Sequence, residues 1–95
     1  MPSKTGQPLE SEIQRDIKTY LQMTGWFVVK IHQSLGCYPG IADLYAIKNG
    51  EGIWIEVKTA KGKQSTLQRA FQDNIELHGG RYYVARSIDD LRGSI

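Results

Sequence analysis

Alternation in one short run constrains this chain more than any other feature. Ile53-Trp54-Ile55-Glu56-Val57-Lys58 follows Asn49-Gly50-Glu51-Gly52. Asn49-Gly50-Glu51-Gly52 reads as a hairpin turn, and Ile53 to Lys58 as the strand that follows it. Strand side chains alternate between the two faces of a sheet. Ile53, Ile55 and Val57 therefore share a core-facing side, and Glu56 and Lys58 share the other. Asp43 to Lys48 reads as the partner strand. Asp43 and Glu56 both lie at the end away from the turn, so pairing brings the two acids close. Carboxylates crowded in this way repel unless a cation bridges them.

The remaining elements fall into place around that hairpin. Residues 1–8 are polar, with Gly6 and Pro8 as breakers, and read as a loose tail ahead of a single domain over residues 9–95. A helix is expected from Leu9 to Met23, where Ile13, Ile17, Tyr20 and Leu21 recur at helical spacing and Gly25 supplies the stop. Trp26 to Ile31 reads as a strand, and His32 to Gly40 as a loop. Ser65 opens a second helix reaching about His78, with Leu67, Ala70, Phe71, Ile75 and Leu77 available for packing. Arg81 to Arg86 reads as a fourth strand, and Ser87 caps a short final helix through Leu91. The order α-β-β-β-α-β-(α) predicts an α/β fold on a mixed sheet, with room for a right-handed crossover from the third strand to the fourth.

Composition narrows the setting. A chain of 95 residues fits one domain, and its modest core leaves room for support from a partner subunit. A net charge of +2 and a pI near 8.8 permit a nucleic-acid partner without requiring one. Cys37 is the single cysteine, which excludes an internal disulfide and a cysteine-based zinc site. Met1 to Glu12 has no apolar run of the signal-peptide kind, and no segment is long enough to span a bilayer. The expected location is intracellular, in the cytoplasm, with no membrane partner and no small-molecule cofactor.

Several further residues are candidates for chemistry. Glu10 falls within the arc of Ile13, Ile17 and Leu21, whereas Glu12 points to solvent. Glu10 reads either as an acid aimed at the sheet or as a first-turn carboxylate favoured by the helix dipole. Ser65-Thr66-Leu67-Gln68 matches a capping box, in which Gln68 reaches back to the Ser65 amide. The alternative is that Gln68 faces the acids and contacts a phosphate or carboxylate. Lys61 and Lys63 flank Gly62 and, with Lys58 and Arg69, gather positive charge suited to phosphates. Tyr38 offers a ring for stacking on a base or sugar, and His32 borders the same loop.

Together these residues resemble the VRR-NUC family (virus-type replication-repair nucleases), a branch of the PD-(D/E)XK nuclease superfamily. The resemblance runs from about Leu9 to the end of the chain. Glu10-Ser11-Glu12-Ile13 matches the family's Glu-x-x-Ile, Gly40-Ile41-Ala42-Asp43 its Gly-x-Pro-Asp, Glu56-Val57-Lys58 its Glu-x-Lys, and Gln68 its early helical glutamine. Ala42 replaces the usual proline, which stiffens the approach to the acid but contributes no ligand.

The resemblance implies a restriction-endonuclease-like core and a DNA endonuclease dependent on Mg²⁺ or Mn²⁺. Asp43, Glu56 and the Val57 carbonyl then hold the ion, with Glu10 acting through water. Lys58 orients the attacking water or stabilises charge on phosphorus, and Gln68 positions the site. Lys61, Lys63 and Arg69 grip flanking phosphates, with Tyr38 as a further DNA contact. Free-standing members of this size are similar to archaeal Holliday-junction resolvases, tend to be homodimers and are often encoded by phages, which implies branched DNA as the partner and a host cytoplasm as the setting. The alternative is a non-catalytic nucleic-acid-binding module on the same fold, which would bind as well in chelator as in metal.

Overall fold

A computed structural model describes residues 6–95 of the chain. The expected tail over residues 1–8 lies largely outside the described residues. Helix α1 spans Glu10–Met23, followed by strands β1 (Phe27–Lys30), β2 (Leu44–Lys48) and β3 (Glu51–Val57). Helix α2 spans Thr66–Leu77, strand β4 spans Arg81–Ala85, and a 3-10 turn follows at Ile88–Asp90. The four strands form one mixed sheet in the order β1-β2-β3-β4, antiparallel except for the parallel β3–β4 pair. This is the mixed α/β architecture that the sequence pattern predicts.

The hairpin turn is tighter than expected. Asn49 and Gly50, at φ 52° and 79°, form the whole loop, and Lys48 pairs directly with Glu51. A two-residue turn with both central residues at positive φ matches the twist of the flanking strands. β3 therefore begins at Glu51 rather than Ile53.

The sheet has a different cover on each face. Ile13, Ile17 and Leu21 of α1 pack on Leu44, Ala46, Ile53, Ile55 and Val57. Ile53, Ile55 and Val57 are all fully buried, which is the face the alternation assigned to them. On the other side, Phe71 of α2 packs with Tyr82 and Ala42, and Trp54 joins them. The Trp54 and Phe71 rings meet edge-on at 5.3 Å between centroids, and those of Phe71 and Tyr82 lie 6.1 Å apart. Of the α2 residues expected to pack, Phe71 is buried and Ile75 partly so, whereas Leu67, Ala70 and Leu77 are exposed. The helix meets β4 and Trp54 of β3 through one narrow stripe, and Phe27, Val29 and Ile47 of β1 and β2 stay exposed.

The expected final helix is only the 3-10 turn, and Ser87 makes no side-chain cap. Asp90 instead folds back to accept the Arg86 amide at 2.7 Å. Among the described residues, no helix is long and apolar enough to cross a membrane.

Candidate active site

The open end of the β2–β3 hairpin brings the acids together. The β2–β3 pairing ends at Leu44 and Ile55, and Asp43 stands just beyond it. Its amide donates to the Ile55 carbonyl at 3.1 Å, one residue short of regular pairing with Glu56, while its carbonyl accepts the Ile31 amide of the β1 side at 2.8 Å. An offset of this kind at a strand end re-aims a side chain, and here it leaves the Asp43 carboxylate within the field of Glu56. Asp43 is nearly buried, and its Oδ2 accepts the Val57 amide at 2.7 Å.

Glu56 is wholly buried beneath the α2 side of the sheet. Its Oε1 accepts from the Tyr82 hydroxyl at 2.6 Å and from Gln64 Nε2 at 3.1 Å. Its Oε2 has no hydrogen-bond partner. Lys58 Nζ stands 3.7 Å from that oxygen, an ion-pair distance too long for a hydrogen bond. The Lys58 ammonium donates instead to Gln68 Oε1 at 2.8 Å, and its backbone extends the parallel pairing through Ala85.

Gln68 fills both roles left open above. Its Oε1 accepts the Ser65 amide at 2.9 Å while Ser65 Oγ accepts the Gln68 amide at 3.1 Å, which closes the capping box. The same Oε1 holds Lys58. Gly40, at φ 77°, lets the loop before Asp43 lie against this first turn of α2. A Cβ there would overlap the Leu67 carbonyl.

Glu10 opens α1 and lines a cleft with Asp43, Lys30, His32 and Gln33. Its carboxyl is raised above the ordinary range, first by burial and then by the charges of Asp43 and Glu56, with Lys58 opposing. The Asp43 carboxyl is raised too, chiefly by burial and further by Glu56, against the Val57 hydrogen bond and the Lys58 charge. The charges of Asp43, Glu56 and Lys58 all act on Glu10, and those of Glu56 and Lys58 act on Asp43, so the four groups share one field. Glu12, as its face predicts, stays out of the site and accepts the Leu9 amide at 2.7 Å. Among the described residues, no three His, Cys, Asp or Glu side chains form a ready-made metal cage.

The basic residues divide. Lys63 lines a second cleft with Lys58, Gln68, Gly40 and Gln33, and Lys61 lines a third with Glu10 and Thr59. Arg69 is exposed on α2 and pairs with Asp73 at 3.2 Å. Tyr38 is 58% exposed, and its ring tilts against Phe71 at 5.6 Å, in a cleft lined by Trp54, Phe71 and Ile75 rather than by the acids.

Sequence reasoning did not single out Tyr82, Gln64, Gln33 or Arg86. Gln33 Nε2 donates to the Ile41 carbonyl at 2.8 Å, and its side chain shares the cleft of Glu10 and Asp43. Arg86 Nη1 donates to the Thr59 and Gly62 carbonyls at 2.6 and 2.7 Å, pinning the loop that carries Lys61 and Lys63. The Tyr82 hydroxyl is held well above its ordinary pKa, first by burial and then by its bond to Glu56, so it remains a proton donor. Its signal in the sequence is only parity along β4.

The donors present are oxygens: Asp43, the unpartnered Glu56 Oε2 and adjacent backbone. A buried carboxylate oxygen with no partner is costly, and an oxygen-only set suits a hard divalent cation.

The family model described as archaeal Holliday junction resolvase (Hjc) matches residues 6–76. A solved structure described as a "VRR_NUC domain" superposes with a TM-score of 0.75 at 23% identity, covering 86% of this chain and 88% of that one. No curated protein matches the chain.

Proposed function

Because this chain belongs to the archaeal Holliday junction resolvase (Hjc) family, we propose that it hydrolyses phosphodiester bonds in branched DNA with the help of Mg²⁺ or Mn²⁺. The observation that carries this reading is Glu56 Oε2, buried and unpartnered, with Lys58 Nζ 3.7 Å away and the Asp43 carboxylate held nearby on the Val57 amide. Asp43, Glu56 and the Val57 carbonyl would hold the cation, with Glu10 contributing through water. Such an ion, when bound, supplies positive charge that polarises the scissile phosphate and acidifies a water.

The chain's own residues supply the rest. Lys58 places an ammonium where negative charge builds on phosphorus, and preorganised charge of this kind needs no rearrangement during reaction. Gln68 fixes the direction of that ammonium through its 2.8 Å hydrogen bond. Glu10, at the rim, orients a water toward the acids. Lys61 and Lys63 neutralise flanking phosphates from the loop that Arg86 holds. Arg69 joins them by exchanging Asp73 for a phosphate, and Tyr38 offers its exposed ring edge to DNA at the margin. A four-way junction needs two opposed cuts, which a two-fold homodimer of this one-site domain supplies. The work belongs inside the cell, where the DNA is.

The test is a panel of four-way, flap, nicked and plain duplex DNAs incubated with Mg²⁺, Mn²⁺ or chelator. Cuts are expected with either metal, strongest near branches, and none in chelator. Lys58→Ala should still bind DNA while cutting about 100- to 1000-fold more slowly. Metal-independent cutting, or full activity in Lys58→Ala, would overturn the assignment.

A further inference from the structure

The two oxygens of Glu56 are treated differently by the protein. Oε1 carries two hydrogen bonds, from Tyr82 at 2.6 Å and Gln64 at 3.1 Å, whereas Oε2 carries none. The Gln64 side chain is itself held. Its Nε2 also donates to Gln72 Oε1 at 2.8 Å, and Gln72 Nε2 donates to Glu76 Oε2 at 3.3 Å. Ionised carboxylates only accept. Glu56 at one end and Glu76 at the other therefore fix which way both amides face, and both hydrogens of the Gln64 amide are used. Tyr82 is equally constrained, since it is nearly buried and packed against Phe71.

We propose that Tyr82 and Gln64 are positioning residues that lock Glu56 Oε1 and so reserve Oε2 as the single oxygen this carboxylate offers to a divalent cation. The inference rests on the nuclease reading above and deepens it. A carboxylate free to rotate would trade its two oxygens or chelate through both. One with Oε1 saturated from the α2 side can present only Oε2, on the side of Lys58. Outer residues that orient a ligand in this way commonly matter to metal affinity almost as much as the ligand does. The device is assembled from β3, β4 and the entry to α2, so the fold itself sets the aim of the carboxylate.

Two variants test it in the full chain. Tyr82→Phe removes one oxygen and keeps the ring against Phe71, and Gln64→Met keeps the length and removes the donor. Mn²⁺ is titrated calorimetrically into DNA-free protein, and Mg²⁺ is titrated in cleavage of a four-way junction. Each variant should weaken Mn²⁺ binding about 10- to 100-fold. The half-saturating Mg²⁺ concentration should rise by a similar factor, while kcat at saturating Mg²⁺ is largely restored. A purely structural role would lower the melting temperature and leave Mn²⁺ affinity alone.

If both variants fold and bind Mn²⁺ as tightly as wild type, the lock is refuted and the nuclease reading stands. If Tyr82→Phe does not fold, Gln64→Met decides by the same criterion. A wild-type protein that neither binds Mn²⁺ nor cuts DNA would refute the nuclease reading and the lock together.

Discussion

Gly40→Ala is the sharpest test of how the loop before Asp43 is seated. Gly40 sits at φ 77°, a region where a Cβ costs roughly 1–2 kcal/mol. The added Cβ would also overlap the Leu67 carbonyl and stand 2.8 Å from the Gln68 amide nitrogen. Both obstacles are backbone, so no side chain can swing away to make room. Forced overpacking of this kind costs roughly a further 1–3 kcal/mol. The sum is about 2–5 kcal/mol, a large share of the stability of a small domain. At about 4–8 °C per kcal/mol, the melting temperature should fall by at least about 8 °C. Gly36→Ala is the control: Gly36 has φ 92°, but a Cβ there would meet nothing within 4 Å, so it carries only the conformational cost. Thermal unfolding by circular dichroism in chelator compares the two without metal linkage. Equal shifts for Gly40→Ala and Gly36→Ala would refute the close-approach argument. The relief available to Gly40→Ala is a retreat of α2, which draws Gln68 from Lys58, so cleavage per folded molecule should fall as well.

Two further outcomes follow from the charges. Lys63→Ala and Lys61→Ala should each weaken DNA binding and lower the slope of log affinity against log salt by about one, measured by fluorescence anisotropy. An unchanged slope would remove that lysine from phosphate contact. The raised Asp43 carboxyl means that the folded state holds a proton the unfolded chain has already released, so its contribution in metal-free protein worsens as pH rises through the folded pKa. Asp43→Asn should therefore be most favourable relative to wild type at neutral pH in chelator. That difference should shrink as pH falls toward the ordinary carboxylate range. Parallel melting curves across that range would contradict the assignment.

The hairpin was legible because its signal is local: Asn49-Gly50 sets the turn, and alternation through Ile53, Ile55 and Val57 sets the buried face. The approach of Asp43 to Glu56 followed from the hairpin, which carries both to the end away from its turn. The complete burial of Glu56 did not, because its cover comes from Phe71 and Tyr82, on elements far along the chain. Two adjacent tyrosines also hide their parity. Tyr82 turns to Glu56, whereas Tyr83 turns to the opposite cluster and meets Arg81. Leu67 and Leu77 read as packing residues by hydrophobicity, yet both stay exposed, since α2 meets the sheet only through the stripe around Phe71 and Ile75. Gln64 precedes a helix without belonging to any periodic pattern, so only the folded chain reveals its partner.

The capping and functional readings of Gln68 describe one atom. A carbonyl oxygen has two lone pairs, and Oε1 of Gln68 gives one to the Ser65 amide and the other to Lys58. The start of α2 and the direction of the lysine are therefore set together. Gly40 presses the Asp43 loop onto the same turn, and Gln64, one residue before its cap, holds Glu56. A single helical turn thus touches the supports of Asp43, Glu56 and Lys58 at once. A turn that must meet three side chains on two strands is over-determined, and shifting it by one residue would break a cap, a close approach and two hydrogen bonds. This is a physical reason for the Glu-x-Lys strand and the early glutamine to occur as one unit: neither is correctly placed without the other.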